Sequence, residues 1–110
     1  MESAATVARR IGVFGGAFDP PHKAHFALAQ AAVAELQLDE LRIVPTGQAW
    51  HKARALTPAH HRLAMARLAF SDLPQAVIDP RETERTGPSY TVDTLREFKA
   101  QWPGAQLFLI

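Results

Sequence analysis

A parallel α/β sheet is the fold this chain predicts, and two observations predict it. Four short apolar runs, Ile11 to Phe14, Leu41 to Val44, Gln75 to Ile78 and Leu107 to Ile110, alternate with three segments whose apolar residues recur at helical spacing, and no segment repeats another. A glycine pair, Gly15-Gly16, then marks the junction between the first strand and the first helix. Right-handed crossovers place every strand-to-helix loop at the carboxyl edge of such a sheet. The loops around His22, His51 and Tyr90 are therefore expected in one cleft.

Taken in order, Ile11-Gly12-Val13-Phe14 is the first strand, and Phe26, Ala29, Val33 and Leu36 form the apolar stripe of a helix from about His22 to Leu36. Leu41-Arg42-Ile43-Val44 is a strand stopped by Pro45, and Thr46 to Leu56 is a polar loop containing Gly47, Trp50, His51 and Lys52. Thr57-Pro58 predicts an N-cap followed by proline at the first helical position, with Leu63, Ala66 and Phe70 as the buried stripe. After the third strand, Pro80 to Ser89 is a charged loop ending in Gly87-Pro88. Val92, Leu95, Phe98 and Trp102 make the stripe of the third helix, which Pro103-Gly104 terminates before the last apolar strand.

The first junction carries the chemistry. Gly15 and Gly16 lack side chains, so backbone N–H groups can approach an anion, and the following helix adds its positive end. Pro20 and Pro21 stiffen the entry, and His22 and His25 fall three residues apart on one face of the first turn. On its own, a histidine pair at this spacing reads first as an exposed helix start, with half a metal site as the other reading. At Gly87 to Leu95 a second helix start offers Ser89 or Thr91 as cap and outward backbone N–H groups able to bind a carboxylate. His60 and His61 sit in an ordinary helix without the further ligands that zinc would need.

Composition sets bounds. The 110 residues suffice for one domain, with residues 1–9 polar and expected to fray and residues 10–110 forming the folded unit. There is no cysteine, which excludes thiolate chemistry and disulfides. The net charge of +1 gives no reason to expect nucleic acid or an anionic membrane as partner. Between Glu40 and Asp72 no acidic residue occurs, whereas Arg42, Lys52, Arg54, Arg62 and Arg67 are basic, a distribution that suits a polyanionic small substrate and equally an ordinary solvated surface of uneven charge. No stretch looks like a signal peptide or a membrane span, so a cytoplasmic protein is expected.

The string Gly15-Gly16-Ala17-Phe18-Asp19-Pro20-Pro21-His22-Lys23-Ala24-His25 resembles the nucleotidyltransferases that share a His-x-Gly-His signature, with Ala24 at the glycine. Pro88-Ser89-Tyr90-Thr91 and His51-Lys52 are similar to segments of the nicotinate-nucleotide adenylyltransferases within that superfamily. The resemblance covers most of the chain. It implies a Rossmann-like, doubly wound parallel sheet with the first strand beside the fourth, here truncated after that fourth strand. It also implies adenylyl transfer from ATP, with Mg²⁺, to nicotinate mononucleotide, giving nicotinate adenine dinucleotide and pyrophosphate. His22 and His25 would be catalytic. Gly15, Gly16, Ala17, Phe18, His22 and His25 would bind ATP, and Thr46, Lys52, Tyr90 and Thr91 would bind nicotinate mononucleotide.

Two other readings stand beside it: a pantetheine-phosphate adenylyltransferase, and a nucleotide-binding module without turnover. The family's later Gly-x-Asp and Ser-Ser-Thr-x-x-Arg motifs have no match up to Ile110. For the chain as it stands, weak nucleotide binding, no turnover and self-association through the open sheet are expected.

Overall fold

The computed structural model describes residues 8–47 and 55–110. Its elements follow the expected alternation: β1 (Arg10–Gly16), α1 (Lys23–Leu36), β2 (Glu40–Pro45), α2 (Ala59–Ala69), β3 (Ala76–Ile78), α3 (Thr91–Gln101) and β4 (Gln106–Leu109). All three strand pairings are parallel, in the order β3-β2-β1-β4. β1 is thus flanked by β2 on one side and by β4 on the other. The chain switches sides of β1 between β3 and β4, and this makes the carboxyl end of β1 the topological switch point.

The pleat sends successive residues of a strand to opposite faces, and the core divides accordingly. Phe14, Leu41 and Ile43 face α1 and α2, where they join Ala29, Ala32, Ala66 and Phe70. Val13 and Val44, one residue on or back, pack on the other face with Phe98, Leu95, Trp102 and Leu107. Helices therefore cover both faces, as a parallel sheet requires. The stripe of α1 is as expected, because alanine keeps that helix close to the strands while Phe26, Val33 and Leu36 fill the remaining space. Gln37 ends the helix in the left-handed region at φ 52°.

Several local expectations are corrected. β2 does not stop before Pro45 but includes it, opposite Gly16, because proline at a strand end loses no ladder bond that the pairing there needs. At α2 the cap position is Pro58, not Thr57, and no side chain caps it. Thr57 is drawn elsewhere, its N–H donating to Asp19 Oδ2 at 2.9 Å and its carbonyl accepting from Arg62 Nε at 2.7 Å. Neither Ser89 nor Thr91 caps α3; Tyr90 holds the cap position without a side-chain bond. Val92, expected in the stripe of α3, is 51% exposed, and Thr94 takes the buried place.

Gly47 shows how tightly the edge loops fit. A Cβ there would lie 2.2 Å from the Glu82 carbonyl oxygen, so the β2 loop rests directly on the backbone of the β3 loop. Backbone cannot yield as a flexible side-chain end can. Gly47→Ala is therefore expected to cost about 1–3 kcal/mol, the usual range for overpacking, read as a lower midpoint in urea unfolding; an unchanged midpoint would contradict the packing described.

Candidate active site

The parallel arrangement brings the carboxyl ends of β1, β2 and β4 and the start of α3 to one edge. A cleft of about 370 Å³ opens there, lined by Gly15, Gly16, Thr46, Glu82, Thr91 and Thr94 among others. It lies at the lower end of the size range of small-molecule sites. Of the residues singled out in the sequence, Gly15, Gly16, Thr46 and Thr91 meet in this cleft. Lys52, together with His51, lies outside the described residues.

Gly15 and Gly16 are not loop residues. They are the last residues of β1, paired with Val44 and Pro45, and they form a floor without side chains. The loop proper begins at Ala17. Its next residue, Phe18, has a positive φ of 48° and a ring only 2% exposed, set edge-on against Phe14, Phe70 and His25. The Phe18 ring is therefore core, and only its backbone is left for a ligand. A cis peptide joins Asp19 to Pro20.

His22 is the N-cap of α1, exposed, and His25 is its third helical residue. The two rings stack with centroids 3.9 Å apart and planes inclined by 28°. The backbone N–H of His22 donates to His25 Nδ1 at 3.0 Å. Because Nδ1 accepts, the neutral ring carries its proton on Nε2, which leaves that N–H as a fixed donor. Burial, and then the like charge of His22, hold the His25 pKa below its ordinary value. Ala24, in place of the family glycine, is exposed between them.

Neither His22 nor His25 lines the cleft. Thr46 does, anchored by its backbone: its N–H donates to the Gly16 carbonyl at 2.8 Å and its own carbonyl accepts from Arg62 Nη1 at 2.6 Å. Thr91 is the first residue of α3, exposed, and lines the cleft. Tyr90 is 57% exposed and does not line it. Ser89 Oγ, just before the helix start, is buried with no hydrogen-bond partner among the described residues.

Among the described residues the expected cationic region does not assemble. Arg42 is spent on Glu40 at 2.5 Å and Asp79 at 3.3 Å, and its guanidinium lies over the Trp102 ring. Arg62 is 2% exposed and bound to carbonyls. Arg67 borders a different hollow, between α2 and β3. Lys52 and Arg54 are outside the described residues. Arg42 and Arg62 thus serve separate pairings, and Arg67 lies at a separate hollow.

Three further residues shape the edge. Thr94, 1% exposed, donates from Oγ1 to Glu82 Oε2 at 2.5 Å and accepts from Arg85 Nη1 at 2.9 Å. Asp79, also buried, is pushed up by burial, but the hydrogen bonds and charge of Arg81 and the charge of Arg42 more than offset this and hold its carboxyl below the ordinary range. For Arg62 a sequence signal existed: with Ala66 and Phe70 it falls at helical spacing, on the stripe that points inward. Nothing comparable marks Glu82 or Asp79 before the sheet brings their partners together.

With this geometry in place, comparison with known proteins decides the family. A family model described as cytidylyltransferase-like matches residues 13–110. The chain belongs to the cytidylyltransferase-like family. Among curated relatives of this cytidylyltransferase-like chain, a protein of Albidiferax ferrireducens named "probable nicotinate-nucleotide adenylyltransferase" is 76% identical over 102 residues, covering 93% of this chain and 52% of the relative. One of the same name from Methylibium petroleiphilum is 50% identical over 106 residues, covering 96% and 50%. The chain spans about half the length of the curated relatives it matches.

Its fold is that of the solved Plasmodium falciparum nicotinic acid mononucleotide adenylyltransferase complexed with NaAD: TM-score 0.77, 21% identity, 92% of this chain and 50% of that one. The same enzyme complexed with APC gives a TM-score of 0.72 at 22% identity, with coverage of 92% and 49%. Both matches confirm the doubly wound, Rossmann-like sheet with β1 beside β4.

The His22 to His25 bond makes a pH prediction. Protonating His25 removes the Nδ1 acceptor and places two positive rings in contact, so the folded state favours the neutral ring. Its contribution to stability is complete above the unfolded value of about 6.5 and is lost as pH falls through the lower folded pKa. Nuclear magnetic resonance titration of the His25 ring should give a midpoint below that of an unstructured histidine; one at or above it would contradict the geometry.

Proposed function

We propose that this chain forms the nucleotide-binding part of a nicotinate-nucleotide adenylyltransferase. In that reaction a phosphate oxygen of nicotinate mononucleotide attacks the α-phosphorus of ATP, a new P–O bond forms as the bond to the β-phosphate breaks, and pyrophosphate leaves with the electron pair. The observation that carries the reading is one of placement. The stacked histidine pair at the start of α1, which follows β1, and the Thr91 start of α3, which follows β3, both lie at the carboxyl edge of the sheet, where Gly15, Gly16 and Thr91 line the cleft. The names of the relatives support it.

The nucleophile is already an anion, so the chemistry calls for positioning and charge stabilisation rather than a strong base. A neutral His25 donating from Nε2 suits that task. In this reading the backbone at Gly15 to Phe18 holds ATP, with His22 and His25 on its phosphates. Thr46, Thr91, Tyr90 and Lys52 hold nicotinate mononucleotide, and the pyridine carboxylate is met by the N–H groups of the α3 start and by Ser89 Oγ, a buried donor in need of a partner.

Among the described residues no group of three or more His, Asp or Glu side chains is placed to hold a metal ion. In this reading Mg²⁺ arrives with ATP and neutralises its phosphate oxygens. Among the described residues no helix is long and apolar enough to cross a membrane, and the cytoplasm is the compartment this reading implies. Val92 of α3 and Leu109 of β4 are exposed apolar residues, which supports self-association.

The test is a chimera in which these residues replace the matching half of the Albidiferax relative. It should release pyrophosphate from ATP only when nicotinate mononucleotide is present, with His22→Ala and His25→Ala each lowering turnover roughly a hundredfold or more while the fold stays intact. Binding of both nucleotides without release would leave a nucleotide-binding module, and binding of neither would overturn the reading. The acid mononucleotide should also bind more tightly than the amide, since a carboxamide brings no charge and presents its own donors to the N–H groups. Equal affinities would refute the carboxylate assignment.

A further inference from the structure

Arg62 is a buried cation that the reaction described above does not use. Removing a guanidinium from water costs several kcal/mol unless its donors are filled, and here four N–H groups are. Nε donates to the Thr57 carbonyl at 2.7 Å, Nη1 to the carbonyls of Ala17 at 3.1 Å and Thr46 at 2.6 Å, and Nη2 to that of Gly47 at 3.3 Å. Burial pulls its pKa down from the ordinary value, and the Asp19 carboxylate opposes that pull.

The acceptors come from different segments. Ala17 belongs to the β1–α1 loop, Thr46 and Gly47 follow β2, and Thr57 precedes α2. The Thr57 N–H closes the circuit by donating to Asp19 Oδ2 of the β1–α1 loop. An apolar side chain at this position would close the stripe of α2 with no desolvation cost, but it would leave carbonyls at two strand ends without donors.

The geometry points to Arg62 as a positioning residue that couples the two substrate sites. This rests on the adenylyltransferase reading, in which ATP lies against the β1–α1 loop and nicotinate mononucleotide against Thr46. A single nitrogen, Nη1, is shared by a carbonyl from each loop. Movement of one loop therefore changes the hydrogen bonding of the other. Ordering either loop by its ligand lowers the cost of ordering the second, which gives positive cooperativity between the substrates. Such a link serves the in-line attack, because the two phosphates must meet within a narrow range of distance.

The 110-residue chain can test this by nuclear magnetic resonance titration carried to millimolar ligand, using nicotinate mononucleotide and a non-hydrolysable ATP analogue. The wild-type chain should bind the mononucleotide about fivefold or more tightly when the analogue is present. Arg62→Lys keeps the charge but lacks the planar fork that reaches three segments, so the ratio should fall to about one. A merely structural role would weaken each ligand and leave the ratio unchanged. Should Arg62→Lys not fold, the wild-type Arg62 Nε–H signal decides: buried and outside the cleft, it should shift on addition of either ligand alone. A ratio retained in Arg62→Lys, a wild-type ratio of one, or an Nε–H signal indifferent to one ligand overturns the coupling while leaving the function standing. Binding of neither ligand by the wild-type chain overturns both.

Discussion

Everything at the candidate site depends on one constraint: four strands run parallel with β1 inside the sheet. Parallel pairing obliges the chain to return through a helix after each strand, so every strand ends at the same edge. β1 has ladder partners on both sides, from Ile11 opposite Glu40 to Gly16 opposite Pro45, and from Arg10 opposite Gln106 to Val13 opposite Leu109. Its last two residues, Gly15 and Gly16, extend beyond the β4 pairing into the gap where the chain switches sides. That is why a floor free of side chains faces the cleft.

Buried charge holds the loops above that floor. Arg62 and Asp79 are both nearly inaccessible, and each survives because its partners fill its hydrogen-bonding capacity. Arg62 gathers backbone carbonyls from the first two loops. Asp79 takes both Arg81 and Arg42, and Arg81 in turn lies over the Phe98 ring at 3.9 Å and reaches Glu97 of α3. The third loop is thereby fastened to the helix that carries Thr91. Replacing either centre by an apolar residue would remove a charge and leave several polar groups unpaired at once.

The strands, the helices and their order were legible because each is set by local period: two for the strands, 3.6 for the helices. The His22 and His25 pair and the helix start at Tyr90 and Thr91 were legible for a similar reason, since spacing within one turn fixes which side chains are neighbours. Where the reading failed, a long-range partner had outbid a local one. Thr57 gives up its capping role to bind Asp19, which is 38 residues away in sequence. Val92 follows the helical period, yet it faces outward because Thr94 is held inside by Glu82 and Arg85.

The sequence by itself determined the α/β class, the four strands and the motif residues at their carboxyl ends, since these follow from hydrophobic period, turn residues and spacing that any neighbourhood would preserve. Only the tertiary structure decided which charges serve the site and which serve the fold. The basic residues after Glu40 read as one cationic surface, but Arg42 turns to Glu40 and Asp79 while Arg62 turns inward to four carbonyls. A charge takes its partner from what is nearby in space, and for these residues that is set by strand order rather than by neighbours in the chain.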